Sequence, residues 1–325
     1  MTDKPSSFLQ SFLLDGKGGG REISDEEVRN WSPDDGLLWV HFDIADADAG
    51  RWLSQESGVP RTVIDTLLAG ETRPRSTSYD QGLLVVLRGV NTNPGADPED
   101  MVSIRVWIGE NRIITSRRRR LFSVVDLADA LHKGDGPRSA GGFLVALTER
   151  LADRIGGFVE ILEERLDTAE DEISTERSPG FRRRLGALRR QIAEVRRFLA
   201  PQRDALDRLN RQTNAQLTEK EAHDLRQEAD RITRFLEDLD LARERTVVVQ
   251  EELLSQIAQE QNTRMYVLSV VAAIFLPLTF VTGLLGMNVG GLPGLESPLG
   301  FTWSVIVMIV AAFGLLLFFR YKKWL

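Results

Sequence analysis

Cysteine is absent from this chain of 325 residues, and histidine occurs at three positions, His41, His132 and His223. The absence of cysteine excludes a disulfide scaffold, a cysteine-based zinc finger and a cysteine nucleophile. No nucleophile–base pair or set of metal ligands stands out in the sequence, which argues against an enzyme. The first residues also lack the basic-then-apolar pattern of a secretory signal, so we expect the amino terminus in the cytoplasm.

Charge is scarce in the last 60 or so residues. The whole chain has 41 Lys and Arg and 48 Asp and Glu. The charged residues beyond position 263 are Arg264, Glu296, Arg320, Lys322 and Lys323. The first 263 residues therefore carry 37 basic and 47 acidic groups, a formal charge of −10. A polar, acidic body joined to an apolar end is not the composition of a soluble globular enzyme.

Two uncharged runs, residues 265–285 and 301–319, are long enough to cross a membrane. As helices they measure about 32 Å and 28 Å, against a hydrocarbon core of about 30 Å. Residues 287–298 between them are too few to form a domain. The pattern predicts two transmembrane helices, 265–286 and 301–319, joined by a loop at 287–300. Two buried core helices of a soluble domain are the alternative, and both lengths and the flanking charges disfavour it.

The positive charges around these runs predict their orientation. Arg264 precedes the first run, while Arg320, Lys322 and Lys323 follow the second in a basic tail, residues 320–325. The loop has no Lys or Arg and one acidic residue, Glu296. The positive-inside rule then places both termini in the cytoplasm and the loop outside. We therefore expect a multi-pass protein of the inner (plasma) membrane.

The region 1–138 reads as a mixed domain of strands and short helices. Residues 37–44, 82–90, 101–108 and 112–116 have the composition of strands, and the turn at 109–111 predicts a hairpin. Short helices are predicted over 47–56, 61–69 and 122–132. The expected fold class is an α+β cytoplasmic domain with long helices, plus two carboxyl-terminal transmembrane helices.

Residues 139–264 are predicted to form long cytoplasmic helices. The first runs to about residue 175, the second covers 181–210 and crosses Pro201, and the third begins near Thr218. Glu221 lies three residues after Thr218, as in a capping box. Nothing breaks the third helix before the first membrane span, so the two are predicted to be continuous.

Apolar or small residues recur along this third helix at steps of three and four, which marks one helical face. In the cytoplasmic part they are Leu225, Ala229, Ile232, Leu236, Leu239, Ala242, Thr246, Val249, Leu253 and Ile257. In the membrane part they are Met265, Leu268, Ala272, Leu276, Thr279 and Gly283. A helix over residues 218–286 measures roughly 100 Å. Such a helix must pack against copies of itself or against the preceding helices.

The first span ends in Gly286, Met287 and Asn288, followed by residues 289–294 (Val-Gly-Gly-Leu-Pro-Gly). This tripeptide, at the outer end of the first of two carboxyl-terminal spans, resembles the CorA family of divalent metal-ion transporters. The extended motif is similar to the zinc-transporting ZntB branch. Three other segments and Trp107 also match this branch. The segments are residues 71–75 (Glu-Thr-Arg-Pro-Arg), 87–95 (Leu-Arg-Gly-Val-Asn-Thr-Asn-Pro-Gly) and 98–103 (Pro-Glu-Asp-Met-Val-Ser).

The sequence departs from magnesium-type members of that family at two places. Leu285 stands where an aromatic residue usually precedes the Gly-Met-Asn motif. The loop has Gly-Gly-Leu-Pro-Gly instead of an acidic Met-Pro-Glu-Leu type of sequence. Both differences weaken magnesium as the main transported ion.

The resemblance implies a funnel-shaped homopentamer in which the first span of each subunit lines a central pore. Gly286, Met287 and Asn288 become the selectivity motif. The family's pore-facing positions fall on Met265, Leu268, Leu276, Thr279 and Gly283, and the periodicity adds Ala272. The expected function is transport of divalent cations, and uptake of zinc is the preferred interpretation. Transport of magnesium, cobalt or nickel is the alternative, and proton coupling is left open. The implied partners are further copies of the chain, divalent ions and the lipid bilayer, with no nucleic acid and no bound cofactor.

The residues themselves constrain how an ion passes. Between positions 265 and 319 the sequence has no carboxylate, imidazole or thiolate apart from Glu296. Zn²⁺ without its water requires such ligands at about 2.0–2.3 Å. We therefore expect the ion to keep much of its hydration shell, with the side-chain carbonyl of Asn288 accepting hydrogen bonds from that water. Family members carry metal sites in the cytoplasmic domain, but the sequence assigns no residues to one here.

Several motifs of the body have simpler interpretations. Residues 117–120 are four arginines, and we interpret them as a solvated face or a subunit contact rather than a nucleic-acid site. His41 is expected to be a packed histidine. The aspartates at 43, 46 and 48 are expected to end a strand and cap a helix.

An acidic series follows on the first long helix: Glu160, Glu163, Glu164, Asp167, Glu170 and Asp171. It is expected to face solvent with pairs along the same helix, and a cation-concentrating surface is the alternative. A membrane-anchored signalling or scaffold protein is the competing function class. An anchor, however, needs neither the charge-free loop nor the unbroken helical stripe.

Overall fold

A seven-stranded sheet lies at the centre of the amino-terminal part, in the order β2-β1-β3-β7-β6-β5-β4. The structure, a computed structural model, describes residues 6–173, 179–211, 216–287 and 298–322. The strands are β1 (Gln10–Leu14), β2 (Gly20–Glu22), β3 (Leu37–Asp43), β4 (Arg75–Tyr79), β5 (Gly82–Gly89), β6 (Val102–Ile108) and β7 (Arg112–Arg117). The helices are α1 (Asp25–Asn30), α2 (Ala47–Gln55), α3 (Arg61–Leu67), α4 (Phe122–Lys133), α5 (Ala140–Glu172), α6 (Pro179–Arg211), α7 (Glu219–Leu285) and α8 (Gly300–Tyr321).

The sheet is antiparallel except where β3 pairs with β7. In that parallel ladder Leu38 lies opposite Arg112, and Asp43 lies opposite Arg117. Strands β4 to β7 follow one another along the chain and in space, whereas β3 joins them across an intervening segment of about 70 residues. The predicted hairpin at 109–111 is confirmed, because Gly109 N–H donates to the carbonyl of Arg112 at 2.8 Å.

Helices cover both faces of the sheet. On one face α2 and α3 bury Trp52, Leu53 and Val63 against Val40 and Ile114 of the sheet. On the other face the ring of Trp39 meets Phe143 of α5, with centroids 4.9 Å apart. When both faces of a sheet are covered, successive residues of a strand are all buried, so the strand has a nearly continuous apolar sequence. For this reason β5 and β6 were predictable from composition.

The three long helices occur where they were predicted, with ends that differ by a few residues. The predicted capping box of α7 is confirmed, since Glu221 N–H donates to Thr218 Oγ1 at 3.3 Å and Thr218 N–H donates to Glu221 Oε2 at 2.8 Å. Glu221 also accepts a hydrogen bond from Ser139, whose hydroxyl caps α5 at Gly142 N–H (3.0 Å). One carboxylate therefore ties together the beginnings of α5 and α7.

Short elements at the start of the chain were not predicted: β1, β2, α1 and the edge strand β4. The capping box of α1, Ser24 with Glu27, was a usable signal in the sequence. Strand β2 has three residues, and β4 is polar with a mostly exposed pattern, so neither has the alternation by which a strand is recognised.

The chain divides into two compact units, Met1–Gln250 and Glu251–Leu325. The first, called here the body, contains the sheet, α1 to α6 and the beginning of α7. The second contains the end of α7 and α8 and is called the span unit. Each of α6 and α7 has an internal proline, Pro201 and Pro277 respectively.

Candidate ion path

Helix α7 carries the predicted apolar stripe, and its members in the body are buried. Leu225, Ile232 and Leu239 are fully buried against the rest of the body. In the span unit the six predicted pore-lining residues have the opposite property, because all of them are exposed in the single chain. Leu268 is 70% exposed and Leu276 is 76% exposed. The same spacing therefore marks a core face in one unit and an open face in the other.

The open stripe is narrow. At about 100° per residue, the six positions from Met265 to Gly283 fall within an arc of about 80° around α7. They are Met265, Leu268, Ala272, Leu276, Thr279 and Gly283. A ridge of this width can line a path if several copies of the helix face one another.

The opposite face of α7 is partly covered within the chain. Val270, Ile274, Leu278 and Val281 are half-buried, and they lie about 180° away from the stripe. In helix α8, one face is also more buried than the rest of the helix. Its residues are Ser304, Val305, Met308, Ala311, Ala312, Leu315 and Phe319. The stripe thus lies opposite the covered side of α7, within the larger part of the span that the described residues of the chain leave exposed.

Polar side chains in the first span are few, and two of them are bound within the helix. Ser269 Oγ donates to the carbonyl of Met265 at 2.8 Å, and Thr282 Oγ1 donates to the carbonyl of Thr279 at 2.9 Å. Thr279 is the one stripe residue with a hydrogen-bonding side chain. The stripe offers an ion no charged ligand, only a hydroxyl and an apolar wall.

The helix ends beside the predicted selectivity motif. Gly286 N–H donates to the carbonyl of Thr282 at 2.9 Å, and Met287, 45% exposed, follows it. Asn288 and the loop residue Glu296 lie outside the described residues, so their roles remain predictions. Within the described ranges, no group of three or more His, Asp or Glu residues is placed to hold a metal ion.

His41 is a packed residue, as predicted. It lies on β3 with 2% of its surface exposed, and its Nδ1 is 2.9 Å from Thr115 Oγ1. That hydroxyl also accepts from Trp39 Nε1 at 2.9 Å and donates to the carbonyl of Val40 at 3.2 Å. Burial lowers the pKa of His41 to about 3, with help from the charge of Arg117. The imidazole is therefore neutral, and its Nδ1 shares a hydrogen bond with the Thr115 hydroxyl.

Asp43 and Asp46 are confirmed as strand-end and capping residues, whereas Asp48 lies in the first turn of α2 and pairs with Arg51. Asp43 is the last residue of β3, and its Oδ1 accepts from Ala45 N–H at 2.9 Å. Asp46 is the N-cap of α2 and accepts from the N–H groups of Asp48 and Ala49, both at 2.9 Å. Their oxygens serve the backbone and need no cation.

The acidic series on α5 is corrected by the structure. Its charges were expected to pair along the same helix, but Asp167 and Glu170 pair with Arg245 of α7, at 2.6 Å each. These bonds raise the pKa of Arg245. Burial and nearby carboxylates, led by Asp238, raise the pKa of Glu163. No linear signal could have identified Arg245, because it lies 75 residues from Glu170 in the chain.

The four arginines at 117–120 separate in the structure. Arg117 ends β7 and is partly buried, whereas Arg118, Arg119 and Arg120 are exposed. Arg119 forms a two-bond ion pair with Asp100, and the guanidinium of Arg120 lies 4.6 Å from the ring centre of Phe122. The side chains thus diverge to different partners rather than forming one continuous basic strip.

A mixed α/β body followed by two helices with long apolar spans indicates a membrane protein, and the first span has an open face without ionisable side chains. Both spans, within Glu219–Leu285 and Gly300–Tyr321, have the length and mean hydropathy (2.3 and 2.5) of membrane-crossing helices. The family model described as "CorA-like Mg2+ transporter protein" matches residues 34–323. The chain belongs to this CorA family.

Similar proteins carry transporter names. The chain is 39% identical to the "Divalent cation transporter CmaX" of Pseudomonas aeruginosa over 98% of this chain and 97% of the relative. It is 35% identical to the "Zinc transport protein ZntB" of Pectobacterium atrosepticum, again over 98% and 97%. A solved structure of full-length CmaX superposes with a TM-score of 0.86 at 37% identity, covering 99% of this chain and all of that one.

These findings confirm the predicted family and fold class, a mixed α/β domain with long helices and two carboxyl-terminal apolar helices. The protein is a divalent cation transporter in a membrane, and its family consists of transporters rather than enzymes. Divalent cations are its transported substrate.

Proposed function

We propose that the protein conducts Zn²⁺ into the cytoplasm through a pore shared by five copies of the chain. The observation that carries this proposal is the open stripe of α7, which has no ionisable side chain and faces away from the covered side of the helix. A single chain with two spans cannot enclose a water-filled path, so several subunits must supply it. The family resemblance sets the number at five.

The chemistry of the stripe supports passage of a hydrated ion. Met265, Leu268 and Leu276 cannot replace the inner water shell of Zn²⁺, which prefers imidazole, thiolate or carboxylate. A path without strong ligands also releases its ion readily, as conduction requires. Zinc, rather than magnesium, is supported by the names of several relatives and by Leu285 and the glycine-rich loop at the end of the first span.

Selection is assigned to the end of the first span, where Gly286, Met287 and Asn288 meet the loop. The side-chain carbonyl of Asn288 from each subunit forms a ring that accepts hydrogen bonds from the water around the ion. Glu296 adds one negative charge per subunit to the loop. Positive charges flanking the spans support an inner-membrane location with both termini in the cytoplasm and this loop outside.

Inward movement needs no energy source within the protein. A divalent ion crossing a potential of 100 mV gains about 4.6 kcal/mol, twice the value for a single charge. No side chain of the first span titrates near neutral pH, so proton coupling, if it occurs, has to use residues outside that span. A pathway driven by the potential is the simpler mechanism for these residues.

Uptake by reconstituted vesicles tests the proposal. The purified chain in liposomes with an internal indicator should admit Zn²⁺ faster than Mg²⁺, Co²⁺ or Ni²⁺, and an imposed pH gradient should show whether protons contribute. Asn288→Ala should lower uptake strongly while the mass in mild detergent stays that of a pentamer. Asn30→Ala makes the same chemical change at an exposed position of the body and should leave uptake unchanged.

Because the chain has no cysteine, single cysteines can test which face of α7 meets the path. Leu276→Cys lies on the open stripe and Ile274→Cys on the half-buried face. A charged, membrane-impermeant thiol reagent should block uptake through Leu276→Cys and spare Ile274→Cys. Equal block at both positions, or full uptake by an assembled Asn288→Ala protein, would refute the assigned path.

A further inference from the structure

A cleft of about 1010 Å³ opens in the body at the ends of β5 and β7, beside α6. Six arginines line it, and we call it the arginine cleft: Arg73, Arg75, Arg88, Arg118, Arg119 and Arg197. The cleft is far along the chain from the proposed ion path, and nothing in the transport mechanism uses it. Its residues come from the loop after α3 and the start of β4, from the end of β5, from residues 97–103, from the segment after β7 and from α6.

Three of the six arginines are already engaged. Arg119 is paired with Asp100, Arg197 lies 3.5 Å from Glu194, and Arg75 donates to Thr66 Oγ1 at 2.9 Å. Within the described residues, Arg73, Arg88 and Arg118 have no carboxylate at ion-pair distance. The cleft therefore contains three guanidinium groups that no carboxylate of the described residues contacts directly.

Arg88 is held in place by neutral groups. It donates to the carbonyls of Met101 (2.6 Å) and Thr72 (2.8 Å), and its guanidinium lies 3.9 Å from the ring centre of Phe198. Its backbone N–H donates to Gln202 Oε1 at 2.6 Å, which fixes this end of β5 against α6. A charge that is already oriented loses little conformational freedom when an anion binds.

A seventh guanidinium, that of Arg105, lies behind the cleft. It faces the same side of the sheet as Arg88, because Arg88 pairs with Ser103 and Arg105 is two residues further along β6. Arg105 is fully buried and donates to the carbonyls of Ala69 and Gly70, the latter at 3.2 Å. Within the described chain, its Nε and Nη1 and the Nε of Arg88 are buried without a hydrogen-bond partner.

The guanidinium groups converge on the loop after α3. Arg105 reaches the carbonyl of Gly70, Arg88 reaches that of Thr72, and Nη1 of Arg118 would lie 3.9 Å from a Cβ placed on Gly70. Burial, and then the charges of Arg88 and Arg118, lower the pKa of Arg105 to about 10, so it still carries its charge at neutral pH. Cations that are buried and mutually repelling are costly unless an anion joins them.

Carboxylates also line the cleft and limit what it can bind. Glu71, Asp97 and Glu99 face it in addition to the paired Asp100 and Glu194. Glu99 accepts from Gln191 Nε2 at 3.2 Å. They repel every anion, so a singly charged ion gains little here. An anion with two or more charges and several oxygens gains most, because it accepts from several guanidinium groups at once.

We propose that the arginine cleft binds a soluble polyvalent oxyanion of the phosphate type, with Arg88 and Arg118 as its main donors and Arg73 at the rim. This site is independent of the proposed ion path, and its test does not depend on transport.

Titration of the full-length chain in detergent with inorganic pyrophosphate tests the site. A chelator in the buffer keeps divalent cations out of the measurement, and calorimetry gives the affinity. Arg118→Gln removes an exposed guanidinium with no ion partner among the described residues and should weaken binding about tenfold or more, the equivalent of one charged hydrogen bond. Arg73→Gln should weaken it in the same direction. Arg61→Gln, an exposed arginine of α3 paired with Asp65 at 3.2 Å, is the matched control and should bind as the parent does.

Two further titrations sharpen the result. ADP that binds like pyrophosphate would identify the diphosphate as the recognised group, whereas pyrophosphate binding without ADP binding would restrict the ligand to the free oxyanion; both support the proposal. No binding of pyrophosphate, equal affinity in Arg118→Gln and Arg61→Gln, or an equal response to chloride at the same ionic strength would overturn it. Protection against thermal unfolding by pyrophosphate should follow the same order of variants.

Discussion

The two parts of helix α7 have the same apolar spacing and opposite surroundings. In the body, Ile232 and Leu239 are fully buried, while in the span unit Leu268 and Leu276 are at least 70% exposed. Periodicity therefore identifies a face of a helix but not what covers that face. The charges beside the stripe carry the missing information, since they are frequent along the body part and absent from the span.

The hydrogen-bond partners of polar side chains also differ between the two units. In the body, arginines of α6 and α7 pair across helices, as Arg231 does with Asp153 at 2.7 Å and Arg196 with Asp240. In the first span the hydroxyls of Ser269 and Thr282 bond to carbonyls of their own helix. Lipid supplies no hydrogen-bond partner, so a spanning helix has to satisfy its polar groups locally. Water lets the body use longer side chains and distant partners.

A matched pair of exposed valines should show the largest difference between the units. Val310 of α8 is 65% exposed and Val248 of α7 is 61% exposed. Val310→Asp should cost about 3 kcal/mol of membrane insertion, because an aspartate at mid-span is that unfavourable. Val248→Asp should change stability by less than about 0.5 kcal/mol, as surface substitutions usually do. An insertion assay with glycosylation reporters measures the first, and thermal unfolding measures the second. Equal, small effects would mean that α8 does not meet lipid at Val310.

Replacing glycines by alanine should give the next largest effect, a change in the stability of the body. A Cβ on Gly82 would lie 2.3 Å from the carbonyl oxygen of Ile108 and 2.6 Å from Trp107. Gly82→Ala should therefore destabilise the body by about 2 kcal/mol, the usual cost of forcing an extra methyl group into a packed site. Thermal unfolding followed by circular dichroism measures the loss.

Two other glycines provide the controls. Gly157 of α5 and Gly314 of α8 have no atom within 4 Å of an added Cβ. Gly157→Ala should stabilise the body by about 0.5–1 kcal/mol through helix propensity, and Gly314→Ala should leave the fold intact. A loss of stability in all three variants would show that the effect at Gly82 is not a matter of contact.

The smallest expected effect is a dependence on pH that belongs to the body, which contains all three histidines. The folded state lowers the pKa of His41 to about 3, whereas an unfolded histidine titrates near its ordinary 6.5. The unfolded chain thus binds more protons between these values, and stability falls as the pH falls from about 6.5 towards 3. Between pH 7 and 5.5 this residue should remove about 1 kcal/mol.

His41→Gln keeps a polar side chain of similar size and removes the titration. Denaturant unfolding at pH 7 and 5.5 should show a smaller loss for the variant than for the parent. Carboxylates titrate in both proteins and cancel in the difference. The same loss in both proteins would exclude His41 as its cause.

Much of the fold was readable from the sequence because it depends on local signals. The capping box at Thr218, the turn at 109–111 and the unbroken spacing of α7 each specify an element by themselves. The edge strand β4 was missed because its residues, from Arg75 to Tyr79, are polar and mostly exposed. The partner of Asp167 and Glu170 was missed because ion pairs between distant helices leave no trace in the local sequence.

The sequence predicted which residues form the stripe of the candidate ion path, but not what packs beside them. The six stripe residues follow from steps of three and four, and the structure adds that Ile274 and Leu278 form the covered side. Under the proposed function, other copies of the chain contribute what lies against the stripe. The arginine cleft was not predicted at all, since it joins Arg73, Arg88, Arg118 and Arg197 from four separate segments.

The parallel ladder between β3 and β7 sets an order for the assembly of the chain. Strands β4 to β7 can pair with their neighbours as soon as each is synthesised, and β1 can pair with β3 in the same way. The sheet is complete only when β7 (Arg112–Arg117) pairs with β3. Because this pairing joins the two halves of the sheet across a long intervening segment, we expect it to be the slow step in folding of the sheet. The spans follow after more than 100 further residues, so at ordinary synthesis rates of about 5–20 residues per second the central sheet has seconds to close before the membrane receives its first helix.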